Sequence, residues 1–247
     1  MLNFNRRFKQ ALSYILFKIN HWNVPVINPL KTGTYYSQVG QDIYLSSLLF
    51  QIIEKSNSKI IIDVGCNHPV HFSNTLFFEK YMDCKIIAFD PIAEYKELWN
   101  KLRPGADFHA IALGEIEGSV ILNVPTERNQ IDDMFSSVNR NNLHLRSRKV
   151  EKRTVPCLEL KSLLKSQDIK EILLISLDVE GSELNVLKGI DFDAVKVSCF
   201  IIENNEGGYY GSDEIRNYLM SKGYVFITRI IDFDDVFIHK SIMGKTI

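Results

Sequence analysis

The sequence predicts an α/β protein built on a Rossmann-like, mostly parallel seven-stranded sheet that ends in an antiparallel hairpin. Three observations support this. Short apolar runs of strand length alternate with segments of helical periodicity through most of the 247 residues. Several of these runs are apolar throughout, as in strands buried on both faces. The last two strand-like runs are separated only by the short polar turn DFDD, which indicates a hairpin.

The predicted elements follow in order, each from its own pattern. Strand-length apolar runs predict strands at 59–63, 84–90, 108–113, 119–125, 150–156, 171–178, 197–204, 224–230 and 236–241. Helical spacing of apolar residues predicts helices at 41–56, 71–82, 91–102, 158–167, 182–190 and 212–223. The runs 119–125 and 150–156 are expected to pair as an inserted hairpin. Ser212 is predicted to cap the last of these helices and Gly223 to end it.

Composition limits the class of protein. A net charge of -1 argues against nucleic acid as a partner, because phosphate binding needs a basic surface. The four cysteines form no CxxC pair and do not lie near histidines at zinc spacing. They are Cys66, Cys84, Cys157 and Cys199. We expect reduced thiols in a cytoplasmic protein.

Residues 1–34 are predicted to be a basic N-terminal extension to a domain spanning 35–247. The first 41 residues contain no acid but have five basic residues, and their apolar residues recur at helical spacing. Such a helix can pack on the domain or on a second subunit of a homo-oligomer, which is the interpretation we favour. Alternatively it lies on an anionic membrane surface, which would place the protein at the inner face of the membrane.

Acids end four of the predicted core strands. They are Asp63, Asp90, Asp178 and Glu203. An acid at one strand end often only marks where the chain meets water. Four of them at one sheet edge indicate a ligand site, because ligands of open α/β sheets bind at the carboxyl ends of the strands.

The spacing at the first two strands favours an adenosine ligand without a pyrophosphate. Asp90 follows Asp63 by 27 residues and can accept hydrogen bonds from both ribose hydroxyls. The GxGxxG pattern is absent, since Gly65 is followed by Asn67 and Val70 where that pattern has glycines. S-adenosylmethionine fits, because its cationic groups suit an acidic site.

The segments DVGCNHPVHFSNT, AFDP, LISLDVEGSELNVLKGIDF and FIIEN together resemble FkbM-type methyltransferases, and YYSQVGQD and HP…SNT resemble a branch found with polysaccharide assembly genes. The resemblance spans roughly residues 36–240. It implies a class I methyltransferase fold, S-adenosylmethionine as donor and transfer to a hydroxyl of a sugar or natural product. By position, it places Asp63, Gly65 and Asn67 around the methionine, Asp90 at the ribose and Ala112 and Leu113 at the adenine. Gln38 reaches the site from the preceding segment.

Asp178 is expected at the methyl end of the donor, and two roles are open. In the first, it orients the ammonium group of the donor. In the second, it holds Mg²⁺ together with Glu203 and Asn204, and the metal would lower the pKa of the acceptor hydroxyl. Without a metal, His68 or His71 is the expected base, although either histidine can instead cap the turn. Glu180 and Glu183 fit equally well as site residues or as solvated acids at a helix start.

The polar segment 125–148 is predicted to be a lid over the acceptor, a glycan, glycolipid or natural-product precursor, with Ser136 and Ser137 as ligand contacts. Two alternatives stay open. One is a non-catalytic binding or scaffold domain of the same fold. The other is an NAD-dependent oxidoreductase, against which the missing glycines and the terminal hairpin argue.

Overall fold

A computed structural model describes residues 36–53, 56–126, 132–139, 145, 148–205, 211–231 and 233–243 of the chain. Ten strands are assigned within these residues. They are β1 (Ile60–Val64), β2 (Lys85–Phe89), β3 (Asp107–His109), β4 (Ala112–Leu113), β5 (Gly118–Pro125), β6 (Val150–Leu158), β7 (Glu171–Leu177), β8 (Lys196–Glu203), β9 (Tyr224–Ile230) and β10 (Asp234–His239).

Seven α-helices and one 3₁₀ turn are assigned in the same part of the chain. The helices are α1 (Gln41–Ile53), α2 (Leu76–Met82), α3 (Tyr95–Leu102), α4 (Leu160–Ser166), α5 (Glu183–Lys188), α6 (Asp213–Ser221) and α7 (Lys240–Met243), and the 3₁₀ turn is Asp132–Phe135.

The main sheet has the strand order β3-β2-β1-β7-β8-β10-β9. Strands β3, β2, β1, β7 and β8 run parallel, whereas β10 is antiparallel to both β8 and β9. This confirms the mostly parallel seven-stranded sheet and the antiparallel pairing of the last two strands. The apolar runs are buried on both faces: Ile61 packs with α1, α2 and Trp99, and Ile62 packs with α4, α5 and α6.

The predicted third strand is in fact two strands in different sheets. Asp107–His109 pairs with β2, but Ala112–Leu113 pairs with β6 in a small sheet of order β4-β6-β5. The amide of Ile111 donates to the carbonyl of His109 at 3.0 Å, and this tight turn redirects the chain out of the main sheet. The inserted hairpin is confirmed, with β5 and β6 antiparallel from Gly118↔Cys157 to Pro125↔Val150. The small sheet forms a wall beside the carboxyl end of β2.

The helix predicted at 71–82 begins later, at Leu76. Phe72 has a φ of 61°, and the Ser73 hydroxyl accepts hydrogen bonds from the amides of Thr75 and Leu76. A serine that bonds to nearby amides in this way favours a turn over a helix. The prediction for α6 is confirmed, because the Ser212 hydroxyl accepts from the Glu214 amide, and Gly223 follows with a φ of 91°.

All four cysteines are buried and unpaired, as the sequence predicts. The proposed extension, residues 1–34, lies outside the described residues. Among the residues that are described, none of the helices has the length and hydropathy needed to cross a bilayer.

Candidate active site

The four strand-end acids meet at one edge of the main sheet. Strands β2, β1, β7 and β8 are parallel neighbours, so Asp90, Asp63, Asp178 and Glu203 follow or end adjacent strands on the same side. The order of strands reverses between β1 and β7, where a crevice is expected in such sheets. The four acids nevertheless have different surroundings, which separate their roles.

The turn after β1 brings two strand ends into contact. Gly65 has a φ of 77°, and a Cβ at this position would lie 1.7 Å from the carbonyl oxygen of Asp178. The amides of Gly65 and Cys66 donate to the carbonyl of Phe89, at 2.9 and 3.2 Å. Glycine adopts this conformation without strain, and only glycine permits so close an approach. The turn therefore packs closely against the ends of β2 and β7.

Asp90 lies at the base of this turn and its carboxylate has a fixed orientation. One oxygen accepts from the Asn67 amide at 2.9 Å, and the other accepts from the Ile92 amide at 2.9 Å. A carboxylate oxygen can accept more than one hydrogen bond. The arrangement fits the predicted ribose contact.

A narrow cleft runs from Asp90 along the small sheet. We call it the first cleft, and it is lined by residues that include Gly65, Asn67, Asp90, Ile92, Ile111, Ala112, Leu113, Leu122, Met134, Ser136, Val138, Asp178 and Glu180. Its wall beside β4 is mainly apolar, as expected of a slot for a flat heterocycle. Ala112 and Leu113, the residues that the resemblance assigns to the adenine, line this cleft.

A second cleft continues on the far side of the Gly65 turn. It shares Gly65, Asn67, Met134 and Asp178 with the first cleft, and its other lining residues are Gln38, Gln41, Asp63, Cys66, His71, Phe72, Ser73, Asn74 and Ser176. This cleft is rich in amides, hydroxyls and carboxylates. Gln38 reaches it because Asp42 accepts hydrogen bonds from the Tyr36 amide and the Ser37 hydroxyl, which fixes the preceding segment.

Asp63 is linked to a buried arginine through Thr75. The Thr75 hydroxyl donates to Asp63 at 2.6 Å and accepts from Arg103 at 3.2 Å. Burial raises the pKa of the Asp63 carboxyl, and the Thr75 bond and the Arg103 charge oppose that rise.

Arg103 stabilises the segment that follows β1 through several hydrogen bonds. It donates to Glu79, to the Ser73 hydroxyl and to the Pro69 carbonyl, and its guanidinium stacks 4.4 Å from the Trp99 ring. The sequence pattern does not indicate this role, since Arg103 follows α3 and resembles an ordinary surface cation. The guanidinium holds the segment between β1 and α2 in place, and its partner residues lie 24 to 34 positions away in the chain.

Asp178, Glu180 and Glu203 form an acidic cluster, with carboxylate oxygens within 4.8 Å of one another. Burial, and then the charge of Glu180, raise the pKa of Asp178 well above its usual range. Burial, and then the charge of Asp178, do the same for Glu203. Such a cluster favours a cationic ligand, because a positive charge stabilises the ionised carboxylates.

The expected metal-ligand set requires a correction at Asn204. Its amide nitrogen donates to the Ser212 carbonyl and to Asp235, and its amide oxygen accepts from the Ser212 amide. These bonds hold the side chain in the packing of α6 and β10. Glu180, rather than Asn204, accompanies Asp178 and Glu203.

Glu180 and Glu183 are buried, so their reading as solvated helix-start acids is wrong. Glu183 accepts hydrogen bonds from the amides of Val179 and Gly181, at 3.1 and 3.0 Å. Glu180 has a φ of 57°, and its carbonyl accepts from the Ser137 hydroxyl at 2.7 Å. A non-glycine residue in this conformation needs support from its surroundings, and Glu183 and Ser137 supply it.

The two histidines differ in position. The Nδ1 atom of His68 accepts from the amides of Val70 and His71, at 3.1 and 3.0 Å, so His68 caps the turn as the structural alternative predicts. Burial, and then the neighbouring His71, lower the pKa of His68. His71 is exposed and lines the second cleft. Of the two, His71 is the one placed to meet a ligand there.

Fold and site together define a Rossmann-like domain with two clefts at the switch point of its sheet. An acid follows the second strand, and an acidic cluster lies at the ends of β7 and β8. Residues 63–226, about two thirds of the chain, match the methyltransferase FkbM domain. The chain therefore belongs to the FkbM methyltransferase family. A search of curated proteins gave no significant match.

Proposed function

We propose that this methyltransferase uses S-adenosylmethionine as donor and methylates a hydroxyl of a sugar-containing acceptor. The observation that carries the proposal is the pair of clefts joined at Gly65, each with an acid in a position suited to one part of the donor. The first cleft offers Asp90 to a ribose and an apolar slot to an adenine. The second cleft offers polar groups suited to a methionine and to an acceptor.

The acidic cluster supports a cationic donor. Bound there, S-adenosylmethionine would supply an electrophilic methyl group on a positively charged sulfur. Asp178 lines both clefts, so its carboxylate belongs to the proposed donor site as well as to the acceptor side. In a partly buried site its attraction for a positive charge is stronger than it would be in water.

A hydroxyl acceptor must lose a proton when it is methylated, and this chain offers two groups in the second cleft that can take it. Asp178 is one of them: burial raises the pKa of its carboxyl, which makes the carboxylate a stronger base. His71 is the alternative. Positioning is expected to contribute most of the rate, as in other direct displacements.

The proposed sugar acceptor is supported by the residues around the outer end of the second cleft. Gln38 and Asn74 line the cleft and carry amide groups, and Phe72 is exposed beside them. Amides can bond the hydroxyls of a carbohydrate, and an exposed aromatic ring can pack on its apolar face.

Isothermal titration tests the donor. We expect both S-adenosylmethionine and S-adenosylhomocysteine to bind and NAD not to bind. Because the cluster carboxyls ionise as the pH rises, the preference for the cationic sulfonium over the neutral thioether should increase with pH. Asp178→Asn should reduce that preference, whereas Asp193→Asn, which alters an exposed acid, should leave it unchanged.

The same titration with Mg²⁺ distinguishes two occupants of the cluster. A bound metal would neutralise the carboxylates and remove the pH dependence of the sulfonium preference. If neither adenosyl ligand binds in any condition, the proposed donor is wrong. Once binding is established, transfer of a labelled methyl group to a panel of sugars tests the acceptor.

A further inference from the structure

The adenine wall of the first cleft lacks an obvious polar contact from β4. The backbone of β4 is paired with β6, and the flanking amides of Ile111 and Gly114 donate to the carbonyls of His109 and Leu158. The Ile92 amide donates to Asp90. The side chains on this wall are apolar. A base that enters the slot would therefore need a hydrogen-bonding group from another element.

Ser136 supplies a group of the right kind. Within the part of the chain that the structure describes, its hydroxyl oxygen is buried and has no hydrogen-bond partner, and the residue lines the first cleft together with Ala112 and Leu113. A buried hydroxyl without a partner is unfavourable, and in proteins such groups commonly mark a functional position. Val138, two residues further on, packs against the apolar cluster that includes Ile92 and Ala112, which puts this segment beside the slot.

The neighbouring serine shows what a purely structural hydroxyl looks like in the same segment. Ser137 is 1% exposed, and its hydroxyl donates to the Glu180 carbonyl. Its amide and carbonyl pair with those of Asn123, at 3.2 and 2.9 Å. Because Ser137 is anchored in this way, the backbone next to Ser136 is held against β5. Ser136 is thus held at the lining of the first cleft by a fixed support.

We infer that Ser136 recognises the adenine ring of the donor, with its hydroxyl accepting a hydrogen bond from the 6-amino group. The inference rests on the proposed function, because it requires an adenosyl ligand in the first cleft. It makes Ser136 a specificity residue for the base. The sequence suggested Ser136 only as a contact for the acceptor.

The test compares two ligands on the full-length protein. The ligands are S-adenosylhomocysteine and its analogue with hydrogen in place of the 6-amino group. Loss of one hydrogen bond predicts that Ser136→Ala binds S-adenosylhomocysteine about 5- to 10-fold more weakly. Wild type should bind the analogue more weakly by a similar factor, and Ser136→Ala should bind both ligands equally.

Two controls separate binding from folding. Ser119→Ala changes an exposed serine of β5 and should bind like wild type. Ligand-free Ser136→Ala should be at least as resistant to urea as wild type, because the removed hydroxyl has no partner, whereas Ser137→Ala should be less resistant.

Any one of five outcomes would overturn the inference. Ser136→Ala could bind S-adenosylhomocysteine as tightly as wild type, or it could lose the same factor for both ligands, which would place the contact away from the 6-amino group. A loss of urea resistance in Ser136→Ala would assign the hydroxyl a structural role. If wild type binds neither ligand, both the proposed donor and the inference are wrong. If wild type binds S-adenosylhomocysteine and the analogue equally well, the inference is wrong but the proposed donor stands.

Discussion

Asp234 is a buried acid whose ionisation should make the protein less stable as the pH rises. It begins β10, is 4% exposed and accepts a hydrogen bond from Gln41 at 2.8 Å. Burial raises its pKa to about 6, against the opposing effects of the Gln41 bond and the Arg229 charge. In the unfolded chain an aspartate has a pKa of about 3.9.

The direction and the size of the change in stability with pH follow from these two pKa values. Between them the folded protein binds more protons than the unfolded chain, so the free energy of unfolding falls as the pH increases. The difference of about two between the two pKa values corresponds to about 3 kcal/mol in total. Of this, about 1.4 kcal/mol is lost between about pH 5 and about pH 8, the range in which a measurement is practical.

Urea unfolding of Asp234→Asn measures this contribution. The asparagine can still accept the Gln41 bond, so the variant should lose about 1.4 kcal/mol less stability than wild type over that pH range. The variant should also be more stable than wild type at the upper end. Asp193→Asn, at an exposed position, serves as the control and should follow wild type. Parallel pH curves for wild type and Asp234→Asn would refute the reasoning.

Three further substitutions test the site. Asp90→Ala should weaken S-adenosylhomocysteine binding by about 1–3 kcal/mol, from the loss of hydrogen bonds to a charged group; unchanged titration curves would remove Asp90 from the ribose site. Arg103→Lys should lower the free energy of unfolding by about 2–4 kcal/mol, because an ammonium cannot replace the forked contacts to Glu79, Ser73 and the Pro69 carbonyl. Urea midpoints equal to those of wild type would contradict the bracing role. Gly65→Ala should cost about 3 kcal/mol or more, since its Cβ would collide with the Asp178 carbonyl; calorimetry showing wild-type stability would mean that the two strand ends separate easily.

Local pattern determined the elements and the edge at which the site lies. Isoleucine and leucine runs such as 171–177 form strands because they must be buried on both faces, and a polar residue at the end of such a run marks where the strand leaves the core. This is why the sequence assigns four acids to one sheet edge, namely Asp63, Asp90, Asp178 and Glu203. The hairpin of β9 and β10 follows from the turn between them in the same way.

Long-range contacts decided what each side chain does at that edge. Asn204 follows Glu203 directly, yet its amide turns towards Ser212 and Asp235. Glu180 joins the acidic cluster because Glu183 and Ser137 support its unusual backbone conformation. Sequence alone indicated the mostly parallel sheet of this protein and four of the acids at its edge, because both depend on local hydrophobic periodicity. The tertiary structure decided which groups face the clefts, because that depends on hydrogen bonds between segments far apart in the chain.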